Sequence, residues 1–332
     1  MADTPTPENR LEPGKVIAFA RNIDHIGQQR KSRLLNHVNA DTAYTESGDR
    51  FTDEMFGLSE PEETLVDIEP TPGGTVPQYR RIAFFKTFRD GKYVGTRDQA
   101  EKLVNIKNPT VVSMGNGKER RRDKTILGRP GKVGGIFGST FQVDEDGDPI
   151  RTEFPASQIV PYDYNGLWKG KADGDAAPGT APPCLNPQKL RRSKVILDKS
   201  EYAEMENDLP VIAVEEEDLQ NFGTSIEMLS KDFTTHDMAK AEKLVAGDVD
   251  VFKGFQFVKV SNGRLPQVPG QANRFYAPIW WPSAIIYKER PLKATRIQEH
   301  AHMSYNWHAF YKSQDACLRR EDEAVVWIEI ER

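Results

Sequence analysis

The chain has 332 residues, of which 37% are hydrophobic and 29% are charged, and its formal net charge is −5. This length and composition suit a folded protein of about two or three lobes and exclude a largely disordered chain. The acidic balance argues against a general attraction to nucleic acid or membrane. Two cysteines are too few for a disulfide framework, and no apolar run approaches the roughly 20 residues of a membrane helix. We therefore expect a reducing compartment.

The first 90 residues predict an arm, a helix and a hairpin. Residues 1–15 are polar and proline-rich and indicate a flexible arm without a secretory signal. Apolar residues near helical spacing predict an amphipathic helix over residues 15–39. Strand-forming arms on either side of the breaker cluster 70–74 then predict a long β-hairpin within residues 41–88. A lone hairpin is marginal in water, so it should lie on a surface of the same or of another subunit.

Residues 97–180 predict a helix followed by two strands. Gly115 and Gly117 should interrupt the helix, because each costs about 1 kcal/mol relative to alanine. Asn108 with Pro109 is typical of a helix start, and Gly128 of a helix end. A glycine-punctuated strand should follow from residue 131, and a second strand should return within residues 150–160.

The remaining chain predicts an α/β segment and a final strand. Asn186 should cap a helix, residues 209–214 form a buried strand, and residues 215–218 start another helix. Strands over residues 244–290 should surround a hairpin turn at Asn262-Gly263, with Gly254 at a bulge or a close backbone approach. The apolar residues 324–330 are typical of a strand.

Two segments of this chain resemble tailed-phage major capsid proteins. One is residues 244–284, with the ordered landmarks Gly247, Gly254-Phe255, Ser261-Asn262, Leu265-Pro266 and the apolar run that ends at Ala284. The other is the string Gln28, Gln29, Ser32, Arg33 and Leu34, which precedes the long extended loop in that family. The remaining segments follow in the family's order from about residue 16 to the end.

The resemblance implies an α+β fold of the Hong Kong 97 type. Its parts would be an N-terminal arm and helix (1–40), an extended hairpin loop (41–90), a peripheral lobe with a spine helix and a β-hairpin (91–180), an axial lobe (181–290), and a C-terminal segment (291–332) that returns to the peripheral sheet. In such proteins the extended loop reaches over a neighbouring subunit. Phe84, Phe85 and Phe88 lie in a strand that is too apolar to be bare, and we therefore expect parts of residues 44–88 to be buried against another subunit.

The function implied by the resemblance is that of a self-assembling shell subunit. Many copies would form the hexamers and pentamers of an icosahedral head enclosing double-stranded DNA, with scaffolding, portal and decoration proteins as possible partners. The protein would be located in the virion, and in the host cytoplasm during assembly. One alternative is an encapsulin-like bacterial compartment with the same fold. The other is a metal-dependent enzyme that uses His300 and His302.

Chemical motifs give little support to the enzyme alternative. The nearest approach to a metal cluster is His300, His302 and His308, of which His300 and His302 share a strand face. A catalytic zinc needs about three protein ligands with a supporting second shell, and no H-E-x-x-H motif or cysteine pair is present. The acidic residues 144–148 lack calcium-loop spacing and indicate a solvated turn. Residues 118–124 are basic with interleaved Glu119 and Asp123, which favours pairing on a helix surface or between subunits over DNA contact. We predict no catalytic, cofactor-binding or metal-binding residues and no cofactor.

Overall fold

The computed structural model describes residues 28–57, 76, 78–94, 107–143, 148–164, 184–200, 202, 208–223, 250–300 and 306–332. The predicted arm, the hairpin tip at 70–74 and most of the predicted first helix lie outside these residues. No helix within the described ranges is both long and apolar enough to cross a membrane.

Helices and strands are mixed along the described chain, as predicted. The helices are α1 (Lys107–Leu127), α2 (Pro187–Asp198) and α3 (Glu216–Gly223). The strands are β1 (Asn39–Asp41), β2 (Arg50–Phe56), β3 (Gln78–Phe84), β4 (Lys86–Val94), β5 (Thr140–Val143), β6 (Pro149–Thr152), β7 (Ile159–Val160), β8 (Val211–Val214), β9 (Val251–Phe252), β10 (Phe255–Lys259), β11 (Arg274–Trp280), β12 (Ile285–His300), β13 (Asn306–Arg319) and β14 (Val325–Glu331).

The largest sheet, here called the core sheet, has the strand order β7-β14-β11-β8-β10-β9. Its central strand β8 is parallel to β10 and antiparallel to β11. The predicted buried strand at 209–214 and the predicted final strand at 324–330 are β8 and β14. Two further sheets have the orders β2-β3-β5-β6 and β1-β12-β13-β4.

Both faces of the core sheet are buried. Side chains alternate along β8, so Ile212 and Val214 join one apolar cluster and Val211 and Ala213 join the other. Residues of α2 and α3 cover the first face, while Leu34, the end of α1 and the loop after it cover the second. A strand with two buried faces reads as a continuous apolar run, which explains the sequences VIAV and VVWI.

The cap predicted at Asn186 is present, and a second cap is found at the start of α3. The Asn186 side chain accepts a hydrogen bond of 2.8 Å from the Lys189 N–H, and Pro187 occupies the first helical position. At the start of α3, the Asp218 carboxylate accepts the Glu215 N–H at 3.0 Å. These contacts satisfy backbone donors that a helix start leaves without intrahelical partners.

The hairpin predicted at Asn262-Gly263 is wrong, because the strands on either side of it do not pair. Strand β8 lies between β10 and β11. The Glu215 carboxylate instead holds the turn, accepting the N–H groups of Gly263, Arg264 and Leu265 at 2.8–3.1 Å. A buried acceptor from a distant segment thus replaced the cross-strand hydrogen bonds that the local pattern suggested.

The two-residue hairpin of this region lies instead at Lys253-Gly254, between β9 and β10. Lys253 has φ 51° and Gly254 has φ 80°, and Phe252 pairs with Phe255 across the turn. Positive φ at both central residues is the geometry of a type I′ turn, which matches the twist of a hairpin. A Cβ on Gly254 would meet nothing within 4 Å, so the predicted bulge or close approach is wrong.

Helix α1 is continuous across the two glycines that were expected to interrupt it. It begins at Lys107, so Pro109 lies in the first turn, where its missing N–H costs no intrahelical bond. Beside the glycines, Met114 is 2% exposed and packs with Ala309 and Tyr311. Tertiary packing therefore outweighs the low helix propensity of Gly115 and Gly117. The helix ends at Gly128, with φ 67°, as predicted.

The segment 131–138 is a compact loop rather than the predicted glycine-punctuated strand. The N–H groups of Ile136 and Phe137 donate at 2.8 Å to the carbonyls of Ile126 and Leu127 at the end of α1. A Cβ on Gly138 would lie 2.1 Å from the Gly134 carbonyl oxygen. The glycines are thus needed for close packing of the loop on itself, and strand β5 begins only at Thr140.

The described part of the predicted first helix, residues 28–39, is not α-helical. It contains a 3-10 turn at Leu35–His37 and leads into β1, which runs parallel to β12. The N–H groups of Arg33 and Leu34 donate to the Asp123 carboxylate at 3.1 and 3.3 Å. Because a carboxylate of α1 takes these donors, the segment has no intrahelical bonds there.

The chain forms two compact units, each built from three stretches. One contains residues up to Ser32, Thr87–Arg121 and Arg290–Gln314, and the other Arg33–Lys86, Arg122–Glu289 and Asp315–Arg332. Strand β14 shares the core sheet with β8, β10 and β11 of the segment 181–290. The five-part lobe division proposed from the sequence stays a prediction.

Candidate assembly surface

The long β-hairpin predicted within residues 41–88 is formed by β2 and β3. Their antiparallel register runs from Arg50 opposite Phe84 to Phe56 opposite Gln78. Strand β3 also pairs with β5, with Ile82 opposite Phe141. The base of the hairpin therefore belongs to a four-stranded sheet of its own subunit.

The aromatic residues at the hairpin base are partly covered within the subunit. Phe85 lies 5.6 Å from Tyr44 and 5.8 Å from Phe51 between ring centroids, and Phe84 lies 5.3 Å from Phe141. Both phenylalanines are half-buried, and the expectation that parts of residues 44–88 bury against another subunit stays a prediction.

Phe88 is half-buried, and the Arg121 guanidinium lies 3.6 Å from its ring centroid. A cation over an aromatic face is a favourable contact within the chain. Neighbouring strands and α1 therefore cover part of this apolar strand.

One cross-strand pair of the hairpin, Asp53 and Arg81, makes ionic contacts with the rest of the subunit. Asp53 and Arg81 lie opposite each other in the register and project from the same face. The Arg81 guanidinium contacts the Asp322 carboxylate at 3.0 and 3.2 Å, and the Asp53 carboxylate lies 3.0 Å from Arg320 Nε. Both strands are therefore tied to the single turn between β13 and β14.

Asp322 sits between two arginines. It accepts hydrogen bonds from Arg319 and from Arg81, and Arg319 is fully buried. Burial alone would raise the pKa of Asp322, but the Arg319 and Arg81 guanidiniums outweigh it and hold that pKa below its usual value. The carboxylate is therefore charged at neutral pH and the pairing is ionic.

Beyond the Asp53–Arg81 pair the hairpin becomes exposed and partly apolar. Phe56 is 74% exposed, Tyr79 46% and Val76 40%, and Met55 is half-buried. We call these four residues the distal hairpin. Phe56 lies on the opposite face from Met55 and Tyr79, so each face at the outer end of the described ribbon carries an exposed apolar side chain suited to protein contact.

The predicted basic run lies on α1 and is largely engaged within the subunit. Arg122 forms an ion pair of 2.7 Å with the buried Glu289, and Arg120 donates to the Gln28 side chain at 2.8 Å. Glu119 and Asp123 accept N–H groups of Ser32, Arg33 and Leu34. These contacts agree with the helix-pairing interpretation.

Of the other sequence candidates, the described His308 ring stacks on Tyr93 at 4.3 Å between ring centroids. The His300 side chain, His302 and residues 144–147 lie outside the described residues. In the part of the chain that the structure covers, no group of three His, Cys, Asp or Glu side chains is placed to hold a metal ion. Neither cysteine forms a disulfide, and burial raises the pKa of the Cys317 thiol to about 12.

A family model described as phage capsid protein matches residues 12–331. The chain belongs to the phage capsid protein family. None of the curated proteins is significantly similar to it in sequence. The resemblance noted at residues 28–34 and 244–284 is thereby confirmed.

Solved structures share the fold of this capsid protein at low sequence identity. The capsid of Ralstonia phage GP4 matches with a TM-score of 0.63 and 11% identity, over 92% of this chain and 93% of that chain. The Cyanophage Pam1 capsid matches with a TM-score of 0.61 and 12% identity, over 100% and 99% of the two chains. The SrpI encapsulin of Synechococcus elongatus PCC 7942 matches with 0.52 and 11% identity, over 97% of both chains.

The predicted Hong Kong 97-type fold is therefore confirmed, and the chain is a shell-forming major capsid protein. Sequence reasoning missed the ionic contacts of this capsid protein at Asp53, Arg81, Arg320 and Asp322. The only local signal was the opposite charge of Asp53 and Arg81 on the two predicted arms. The arginines and the aspartate before the final strand are more than 200 positions away, and no short-range pattern connects them to the hairpin.

Proposed function

We propose that copies of this major capsid protein form the pentamers and hexamers of an icosahedral head around double-stranded DNA, with the distal hairpin lying on the next subunit. The observation that carries this proposal is the change along the hairpin from a buried base to an exposed apolar end. On the face of Phe51, which is 3% exposed, Tyr79 further out is 46% exposed, and on the opposite face Phe56 is 74% exposed.

The distal hairpin is small, so one contact that it makes with a neighbouring subunit should be weak, and many such contacts should stabilise a shell. Burying one large apolar side chain contributes about 1.5–3 kcal/mol. That is too little to hold an isolated pair of subunits against the cost of association. In a closed shell each subunit gives and receives such a contact, so assembly becomes cooperative through repetition.

The protein would act mechanically and not as an enzyme, and it would use no cofactor. Scaffolding, portal and decoration proteins are its expected partners beside copies of itself. Its place would be the virion, after assembly in the host cytoplasm. The lobes expected over 91–180 and 181–290 would supply the contacts between and around symmetry axes.

Electron microscopy of the purified protein, expressed with its neighbouring genes, tests the proposal. The unaltered chain should give closed particles. Phe56→Asp should leave a folded subunit that no longer assembles, because a charge replaces an exposed apolar contact. Ile150→Asp is the matched control, since Ile150 is 56% exposed on the opposite edge strand of the same sheet. Assembly of the Phe56 variant as efficiently as the control would exclude the distal hairpin as the contact.

An encapsulin-like compartment is the second candidate, supported by the fold match to the SrpI encapsulin. Both functions predict closed particles of this subunit. They differ in contents, because a phage head packages double-stranded DNA and a compartment encloses protein. Nuclease-protected DNA of uniform length in particles from infected cells would support the phage head. Particles that contain a defined protein and no protected DNA would support the compartment.

A further inference from the structure

The turn between β13 and β14 contacts both strands of the hairpin at one level. Arg320 reaches Asp53 on β2, and Asp322 with the Arg319 carbonyl receives Arg81 from β3. This level is also where burial changes: Phe51 and Ala83, on the inner side, are 3% exposed, whereas the distal hairpin lies on the outer side. The ionic contacts therefore lie at the point where the hairpin leaves the packed part of the subunit.

We propose that the turn Arg319–Asp322 sets the angle at which the hairpin leaves the subunit, and that Asp53, Arg81, Arg320 and Asp322 thereby determine the size of the assembled shell. This inference rests on the proposed function, since it requires that the hairpin contacts a neighbouring copy. It assigns a positioning role to four charged residues that need not touch that neighbour themselves.

The turn is a rigid support because the core holds it. The fully buried Arg319 donates from Nη1 to the carbonyls of Ile136 and Gly138, each at 2.8 Å. The Arg320 N–H donates to the Ala284 carbonyl at 2.7 Å. Both attachments lead to segments beside the core sheet, so the turn cannot shift without breaking buried hydrogen bonds.

Two contacts on one turn define an angle better than one contact does. Arg81 and Asp322 meet through two parallel N–H to oxygen bonds, which fix direction as well as distance. The Asp53–Arg320 pair, whose atoms meet at 3.0 Å without hydrogen-bond geometry, attracts the second strand by charge and so limits rotation of the ribbon about the first. With either strand released, the hairpin keeps its own register but loses its fixed direction.

A small change of angle is enough to alter the contact with a neighbour. Strands rise about 3.4 Å per residue, so Phe56 lies about 10 Å beyond Asp53. A rotation of about 10° at Asp53 therefore moves Phe56 by about 2 Å, roughly the size of a methyl group. In a shell every subunit repeats the same error, so a local rotation becomes a change in overall curvature.

Reversing the charge of the more exposed pair tests the proposal without burying an unpaired ion. Arg320 and Asp53 have side-chain exposures of 33% and 21%, whereas Arg81 and Asp322 are each 11% exposed. The test variant is Arg320→Glu, and the rescue variant combines it with Asp53→Arg. The matched control is Lys259→Glu, because Lys259 is 35% exposed and lies 3.3 Å from the Glu216 carboxylate.

The readouts are particle diameter by electron microscopy and thermal unfolding of the unassembled subunit. Arg320→Glu and Lys259→Glu should lower the unfolding temperature to a similar extent. Only Arg320→Glu should lose the single native diameter class and give particles of mixed or shifted diameter. The Asp53→Arg, Arg320→Glu double variant should recover the native diameter.

The outcomes separate this inference from the proposed function. If the unaltered chain forms particles and Arg320→Glu keeps their native diameter, the positioning role is excluded while the shell function stands. A diameter change in Lys259→Glu equal to that in Arg320→Glu would also overturn it, because the effect would then follow general destabilisation. Failure of the double variant to recover the native diameter would show that the charge pair is not the cause. If the unaltered chain forms no particles, the proposed function itself fails.

Discussion

Phe255 and Phe56 lie in strands of two different sheets, and the contrast between them separates folding from assembly. Phe255, on β10 of the core sheet, is 1% exposed and packs in an apolar cluster of its own subunit. Phe56, on β2 of the hairpin, is 74% exposed. The same residue type therefore supports the fold in one sheet and remains available for association in the other. Stability of the subunit and stability of the shell should respond to different substitutions.

The largest expected effect is in the core sheet. Phe255→Ala should lower the unfolding free energy of the unassembled subunit by about 3–5 kcal/mol, because it removes a buried ring and leaves a cavity. Denaturant titration under non-assembling conditions measures this loss. Since a domain is typically stable by about 5–15 kcal/mol, assembly should fail together with folding. A loss of unfolding free energy below about 1 kcal/mol would mean that Phe255 is not part of the tightly packed core.

The next effect concerns Lys189, a buried lysine beside the same sheet. Its ammonium group donates to the carbonyls of Cys184 and Glu329 at 3.1 and 3.0 Å. Burial lowers the pKa of Lys189 from 10.5 to about 8, although nearby acidic groups partly oppose the change. Between these pH values the unfolded chain holds the Lys189 proton more tightly, so the Lys189 contribution to the free energy of unfolding should rise with pH. The Cys317 thiol, whose pKa burial raises from 9.0 to about 12, opposes this rise above pH 9 and is the same in every variant compared below.

The expected size of that rise is about 3 kcal/mol, at about 1.4 kcal/mol per pKa unit. The cost is present in full below pH 8 and disappears as the pH approaches 10.5. Lys189→Met should abolish this rise, whereas Lys194→Met on the same helix, where the side chain is 37% exposed, should keep it. Equal pH profiles for the two variants would contradict the assignment to Lys189.

A smaller effect is expected in α1. Gly115→Ala should stabilise the subunit by about 1 kcal/mol, because alanine restricts the unfolded chain and favours helix. A Cβ there would meet nothing within 4 Å. Gly138→Ala is the opposing control, since its Cβ would lie 2.1 Å from a carbonyl oxygen and should destabilise. The unfolding temperature measures both effects: it should rise for Gly115→Ala and fall for Gly138→Ala.

The smallest expected effect on folding completes the comparison with Phe255. Phe56→Ala should change the unfolding free energy of the subunit by less than about 0.5 kcal/mol, because exposed substitutions away from packed features change stability little. The same truncation should reduce the yield of particles. A loss as large as that of Phe255→Ala would show that Phe56 is covered within its own subunit and would remove the contrast.

Local patterns in the sequence determined which segments form elements and how several of them begin and end. The apolar runs at β8 and β14, the cap at Asn186 and the helix end at Gly128 were all predictable. Each depends on residues within a few positions of one another, where backbone conformation, hydrogen bonding and burial are decided by the same short stretch. The order of segments was enough to indicate the capsid family.

Tertiary structure alone decided how those elements meet. At Asn262-Gly263 the Glu215 carboxylate holds a turn where a hairpin was predicted. Helix α1 is continuous across Gly115, where Met114 packs against distant strands. Residues 131–138 pack on the end of α1. The same holds for the aromatics of the hairpin base and for the contacts of Asp53 and Arg81 with the turn near Arg320. Except for the loop 131–138, whose partners at the end of α1 are ten positions away, the deciding partner is remote in sequence. In each case a buried hydrogen bond, ion pair or packed side chain outweighs a local preference of about 1 kcal/mol.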